Sequence, residues 1–154
     1  MKQRCDDLKE VNRKLEDRSR RSNLRIDGVP ENANEMWSVT EQKVQKILKE
    51  NLDITQNIEI ERAHRMGNTR NNQPRTIIMK LLRYKDKELI LNSAKKLKNT
   101  NISIYEDYSD ETYKIRKHLA EQMKVERKNG MYCVIKYDKL IVREFRERRK
   151  SVNS

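Results

Sequence analysis

Between Asn23 and Glu106 the spacing of apolar residues switches between a period of two and a period of about 3.6, in the order strand, helix, strand, strand, helix, strand. Leu24 and Ile26 alternate with Arg25 and Asp27. Gly28-Val29-Pro30 ends that run, because proline has no amide proton to give a ladder. After a polar loop, Trp37, Val44, Ile47, Leu48 and Leu52 recur at helical spacing, which predicts Trp37 in the core. Ser38 with Glu41, or Asn34, is the expected cap. Ile58 and Ile60 alternate with Glu59 and Glu61 in a second strand that reaches about Arg65. Gly67 to Pro74 is a loop. Arg75 to Leu82 is β-branched and apolar and reads as a central third strand. Lys85 to Leu97 is a helix with Leu89, Ile90, Ala94 and Leu97 inward, and Ile102 and Ile104 form a short fourth strand.

That order over 23–106 is the ferredoxin-like β-α-β-β-α-β pattern, an α+β fold with a four-stranded antiparallel sheet and both helices on one face. The other face is open. By alternation it carries Arg25, Asp27, Thr76, Ile78, Lys80, Ser103 and Tyr105. RNA-recognition motifs use this architecture and this face, with aromatic side chains stacked on bases. Here the first and third strands have no aromatic residue. Contact is therefore expected mainly with the phosphate backbone.

The flanks differ from this middle. Residues 1–22 read as a helix in which Met1, Leu8, Val11 and Leu15 share a stripe at a and d spacing, broken by Arg4 and Arg18. The stripe is either the end of a longer coiled coil or a weak contact with the chain's own domain, and its narrowness favours the coiled coil. So short a helix is marginal alone. Leu8, Val11 and Leu15 are the expected self-association residues. Arg18, Arg20 and Arg21 form a basic collar after it. Residues 107–154 read as a small α-β-β unit. Ser109 or Asp107 caps a helix with Ile115, Leu119 and Met123 inward, and Asn129-Gly130 ends it. Tyr132 to Tyr137 and Leu140 to Val142 form a hairpin around Asp138-Lys139. Arg143 to Lys150 is a basic helix or tail.

Charge narrows the function. Arg62 to Lys98 holds eleven basic residues and two acidic ones, and so supplies nine of the chain's twelve net positive charges. A field this concentrated suits a polyanion better than it suits solubility alone. With 34% hydrophobic and 39% charged residues the core is modest. Cys5 and Cys133 are far apart, and His64 and His118 are the only histidines, so no metal site is expected. Cys5 reads as an exposed helix residue, Cys133 as a small core residue and His64 as a surface residue. No phosphate-cradling glycine loop or activated nucleophile is present. Asp107, Asp110 and Glu111 serve a helix N-terminus more simply than metal-dependent nuclease chemistry. No enzyme, cofactor, small-molecule substrate or membrane span is expected.

Five stretches, in order, carry a family resemblance. They are Arg20-Arg21-Ser22-Asn23-Leu24-Arg25-Ile26-Asp27-Gly28-Val29-Pro30-Glu31, Glu61-Arg62-Ala63-His64-Arg65, Pro74-Arg75-Thr76-Ile77-Ile78-Met79-Lys80, Arg83-Tyr84-Lys85-Asp86-Lys87-Glu88 and Glu106-Asp107-Tyr108-Ser109-Asp110-Glu111-Thr112. Over about residues 8–142 the chain resembles the first open-reading-frame protein of LINE-one-type retrotransposons, the transposase-22-like family. The resemblance implies a coiled-coil trimer (residues 1–22 being its end), an atypical RNA-recognition motif (23–106) and a basic C-terminal nucleic-acid-binding unit (107–154). The last is shorter than the family pattern and is expected to be truncated. The implied activity is binding of single-stranded RNA and DNA, as a nucleic-acid chaperone in the element's ribonucleoprotein particle, in the cytoplasm or the nucleus. By position, the resemblance places the C-terminal basic pair on Arg116 and Lys117 and the hairpin tyrosine on Tyr137. With Arg25, Arg65, Arg75 and Lys80 they make the expected groove. The alternative is a coiled-coil interaction adaptor resembling the baculovirus few-polyhedra family.

Overall fold

The computed structural model describes residues 1–68 and 72–145. The chain forms two compact units, one of Lys14–Tyr108 and one of Met1–Arg13 with Ser109–Ser154. A first helix, α1 (Lys2–Ser19), gives its early residues to the second unit and its late residues to the first.

In the first unit the order is β1 (Asn23–Asp27), α2 (Trp37–Lys46), β2 (Ile60–Arg65), β3 (Ile77–Leu81), α3 (Tyr84–Ser93) and β4 (Ser103–Glu106). The strands lie in the order β2-β3-β1-β4, and every pairing is antiparallel. Alternation decides the faces. Leu24, Ile26, Ala63, Ile77, Met79 and Leu81 are buried against Val44, Ile47, Leu48, Leu52 and Ile90. Their neighbours Arg25, His64, Ile78, Lys80 and Tyr105 take the other side. A β-bulge sits between Ile60 and Arg62.

The helices depart from the sequence reading in three places. Trp37, expected in the core, is 62% exposed, because α2 begins there and its first turn lies outside the packed stripe. Its N-cap is Met36, with no side-chain cap. Both helices change pitch near their ends: α2 continues as a π turn over Ile47–Asn51, and α3 as a 3-10 turn over Ala94–Leu97. Gly28 has φ +85°, and a Cβ there would lie 1.8 Å from the carbonyl oxygen of Asn101. Only glycine fits that crossing.

In the second unit α4 (Asp110–Lys128) starts at Ser109, whose hydroxyl accepts the amide of Thr112. It ends at Asn129, and Gly130 follows at φ +79°. Ile115, Leu119 and Met123 are half-buried. β5 (Tyr132–Lys136) and β6 (Lys139–Arg143) form the hairpin. Lys136 pairs with Lys139, so the turn is Tyr137-Asp138, one residue earlier than expected. Tyr137 there has φ +53°. Cys5 is exposed and Cys133 buried, and both are free thiols. The tail expected after Arg143 lies outside the described residues beyond Phe145.

Among the described residues the apolar stripe of α1 stays largely uncovered. Leu8, Val11 and Leu15 are all more than half exposed, whereas Arg13 and Asp17 are buried.

Candidate nucleic-acid interface

The seven expected contact residues fall into two sets. Arg25, Arg65, Arg75 and Lys80 belong to the sheet unit, and Arg116, Lys117 and Tyr137 to the C-terminal unit.

Within the sheet unit three of the four cations are engaged by the fold. Arg65 has a 2% exposed side chain. Its Nε donates to Glu35 Oε2 at 2.7 Å, Nη1 to the carbonyls of Val29 and Arg75, and Nη2 to the carbonyl of Pro30 and to Glu35 Oε1. All five N–H groups of the fork are thus used. Arg65 fastens the β1–α2 loop to the sheet rather than presenting a free charge. Its partner Glu35 also accepts from Thr40 and Lys43. Burial would push the Glu35 carboxyl up, but the hydrogen bonds from Arg65, Lys43 and Thr40 outweigh it and hold it down at about 2.

Arg75 donates from Nε to Glu31 Oε1 at 2.7 Å and from Nη1 to the carbonyl of Gly67. The side-chain bond from Arg75, and then its backbone N–H to Glu31 Oε2 at 3.0 Å, hold the Glu31 carboxyl below its ordinary value. Arg25 Nε reaches Asp107 Oδ1 at 2.7 Å. Asp107, its side chain fully enclosed, also accepts from Arg20 Nη1 and Asn23 Nδ2. The carboxylate expected to cap a helix is instead a hub that fixes three side chains at the start of β1. Lys80 is the least committed of the four. Its Nζ lies 3.7 Å from Glu61, and both side chains are about half exposed.

The strand register completes this face. Arg62, Lys80 and Asn23 lie side by side across β2, β3 and β1, and His64, Ile78, Arg25 and Tyr105 form the next row. Tyr105 Oη and Thr76 Oγ1 both donate to Asp27, which ties this row to the one beyond it. A hollow of about 200 Å³ is lined by Ser19, Arg20, Asn23, Arg62, His64, Ile78 and Lys80. Arg62, Asn23 and His64 were not among the expected contact residues. Alternation around the buried Ala63 was the available signal for Arg62 and His64. Burial, and then the neighbouring Arg62 charge, depress the His64 pKa. The ring is therefore neutral near neutral pH, with one donor and one acceptor nitrogen.

In the C-terminal unit Arg116 Nη1 donates to the carbonyl of Tyr137 at 2.6 Å. The Arg13 guanidinium lies 5.7 Å from the Tyr137 ring centroid. It also donates to Thr112 Oγ1 at 2.9 Å, to Asp138 Oδ2 at 2.8 Å and to Glu10 Oε2 at 2.9 Å. The Glu10 hydrogen bond contributes most to raising the Arg13 pKa, against the opposing effect of burial. Tyr137 is thus held from its ring and from its carbonyl by its own unit. Lys117 is exposed on α4.

Among the described residues no helix is long and apolar enough to cross a membrane, and no three His, Cys, Asp or Glu side chains are grouped to hold a metal ion. No curated protein matches the chain. Residues 21–105 match the family described as the L1 transposable element RBD-like domain, which is not a catalytic family and is associated with RNA binding in LINE retrotransposons. That match spans more than half of the 154 residues and covers β1 through β4 almost entirely, so the chain belongs to the L1 transposable element RBD-like family.

Proposed function

We propose that this protein is a single-stranded RNA- and DNA-binding nucleic-acid chaperone of a LINE-type retrotransposon ribonucleoprotein particle. In this reading residues 23–106 form an atypical RNA-recognition motif, and the open sheet face is its main contact surface. The row of Arg62, Lys80 and Asn23 across three strands carries the reading. It supplies two cations beside a hollow, on a sheet whose segment Arg62 to Lys98 has a large positive excess. The C-terminal unit of residues 107–154 contributes cations of its own, Lys117 and Arg116. Residues 1–22 act as the end of a coiled coil, with the exposed Leu8, Val11 and Leu15 as the seam of a trimer. The particle is cytoplasmic, with the nucleus as its second location.

Binding of labelled single-stranded RNA across a salt series tests this. Each phosphate neutralised on a single strand contributes about 0.7 to the slope of log affinity against log salt. Arg62→Ala with Lys80→Ala should lower affinity and flatten the slope by about 1. A coiled-coil adaptor would instead associate through apolar contacts that salt barely weakens. Wild-type affinity and slope in the double variant would remove the open face from the interface.

A further inference from the structure

The outer strands of the four-stranded sheet are β2 and β4, and their edges differ. An edge strand offers backbone groups to any extended chain, and folds guard it with bulges, charges or proline. β2 has a bulge between Ile60 and Arg62, with Glu59, Glu61 and Arg62 on or beside it. β4 pairs with β1 in unbroken register, and residues 101–105 contain no charge and no proline. Beside the start of β4 lies a hollow of about 470 Å³, lined by Ala94, Leu97, Ile102 and Ile104 and bordered by Lys95 and Lys98. Leu97 is buried, and Ile102 and Ile104 pack on the core, so the hollow continues the apolar layer beneath the sheet. Lys96 donates to the Leu52 carbonyl at 3.2 Å and lies 3.7 Å from Asp53. Lys95 and Lys98 are exposed and make no ion pair among the described residues.

We propose that the edge of β4 docks an extended, acidic segment of a partner protein, added to the sheet as a further strand. The proposal stands apart from the nucleic-acid reading of the open face. In an added strand alternate side chains share a face. An aliphatic residue on the helix side drops into the hollow against Leu97, Ile102 and Ile104. Acidic residues two positions before and after it lie on that same side and meet Lys95 and Lys98. Main-chain bonds to the strand edge supply affinity, and the hollow and the two ammonium groups supply selection. Nucleic acid could use the two cations, but it has no amide ladder to match a strand edge and no aliphatic group for the hollow. A second copy of this chain fits poorly. Its own acidic stretch has Ile58 buried, Glu59 and Glu61 paired with Arg83 and Lys80, and the bulge interrupting the edge.

The probe is a short capped peptide with isoleucine at its centre, glutamate two positions to either side and threonine elsewhere, titrated into the full chain. Amide exchange should slow in β4 and stay unchanged in β2. Lys95→Glu with Lys98→Glu should weaken the peptide about tenfold by reversing both rim charges. Ala94→Met, which fills the hollow, should weaken it about tenfold and leave affinity for single-stranded RNA unchanged. A peptide with proline in place of the two central threonines has lost the amides of a ladder and should not bind. If Ala94→Met fails to fold, the lysine variant and a peptide with alanine at its centre carry the test. No binding, no protection in β4, or a proline peptide that binds as well as its parent would overturn the proposal. RNA affinity that falls with Ala94→Met in step with the peptide would give the hollow to nucleic acid. Self-association of the wild type that Ala94→Met abolishes would give it to a second copy. Either result would also overturn the proposal.

Discussion

The two units of this chain are held together by opposite means. The sheet unit buries a continuous cluster of fifteen apolar residues, from Leu24 and Ile26 through Val44 and Leu48 to Met79, Ile90 and Leu97. In the C-terminal unit Cys133 is the one buried apolar residue among those described, and the other buried side chains are Arg13, Ser109 and Thr112. Hydrophobic burial is non-directional and tolerates adjustment. A buried guanidinium with several partners is directional and fails when one partner goes. The first unit should therefore depend on fit and the second on a few polar bonds.

The strongest challenge to that contrast is Gly28→Ala. The added Cβ meets backbone at the Asn101 carbonyl, where no side chain can yield. The cost to the sheet unit should exceed about 4 kcal/mol, the range reserved for named structural failures. A urea titration measures it, and a loss under 1 kcal/mol would mean that the β1 end and the Asn101 turn part easily.

Next comes Arg13→Ala, expected to cost the C-terminal unit about 3 kcal/mol by leaving its polar partners unmatched. Amide hydrogen exchange should show β5 and β6 losing protection while β1 and β3 keep theirs. Equal losses in both units would erase the distinction between them.

A polar bond also matters within the apolar unit, and pH exposes it. The Glu35 carboxyl falls from 4.5 to about 2 on folding, which at about 1.4 kcal/mol per unit is worth about 3 kcal/mol. A depressed acid contributes above its unfolded value and loses that contribution as pH falls through its folded value. Glu35→Gln should thus cost up to about 3 kcal/mol at pH 7. The wild-type and variant stability curves should converge between about pH 4.5 and 2. Curves that stay parallel over that window would show that the Arg65 bonds are not what lowers the carboxyl.

The smallest expected effect is Trp37→Ala, within about 0.5 kcal/mol, since an exposed side chain away from special features contributes little. Thermal melting checks it. A loss above 2 kcal/mol would return Trp37 to the core.

Trp37 also marks where the sequence stops being informative. Period identifies a face of a helix but not where the surface beneath it ends. Val44, Ile47, Leu48 and Leu52 find the sheet, and Trp37, seven residues before Val44 on the same stripe, falls at the first turn and does not. The strands were legible because alternation is local: Leu24 and Ile26, Ile77 and Met79 declare their face two residues at a time. Arg65 was legible only as a charge, since its carboxylate partner lies thirty residues away at Glu35 and no local pattern joins them. The same holds for Arg25 with Asp107 and for Arg13 with Asp138. Arg62 and His64 could be placed on the open face by alternation. That Asn23 and His64 each keep a polar atom unmatched needed coordinates.

Helix α1 carries one further consequence. At 3.6 residues per turn, Arg13 lies about 200° around from both Val11 and Leu15, so the side chain that grips α4 and the hairpin turn points away from the apolar stripe. Copies joined along that stripe would each carry a C-terminal unit on the outside of the bundle, held there by Arg13. Their Lys117 and Arg116 side chains would then be presented as a multivalent array. One strand could be gripped by several copies in turn, each contact raising the effective concentration of the next. Such an assembly could stay on a long strand through avidity while every single contact remained brief.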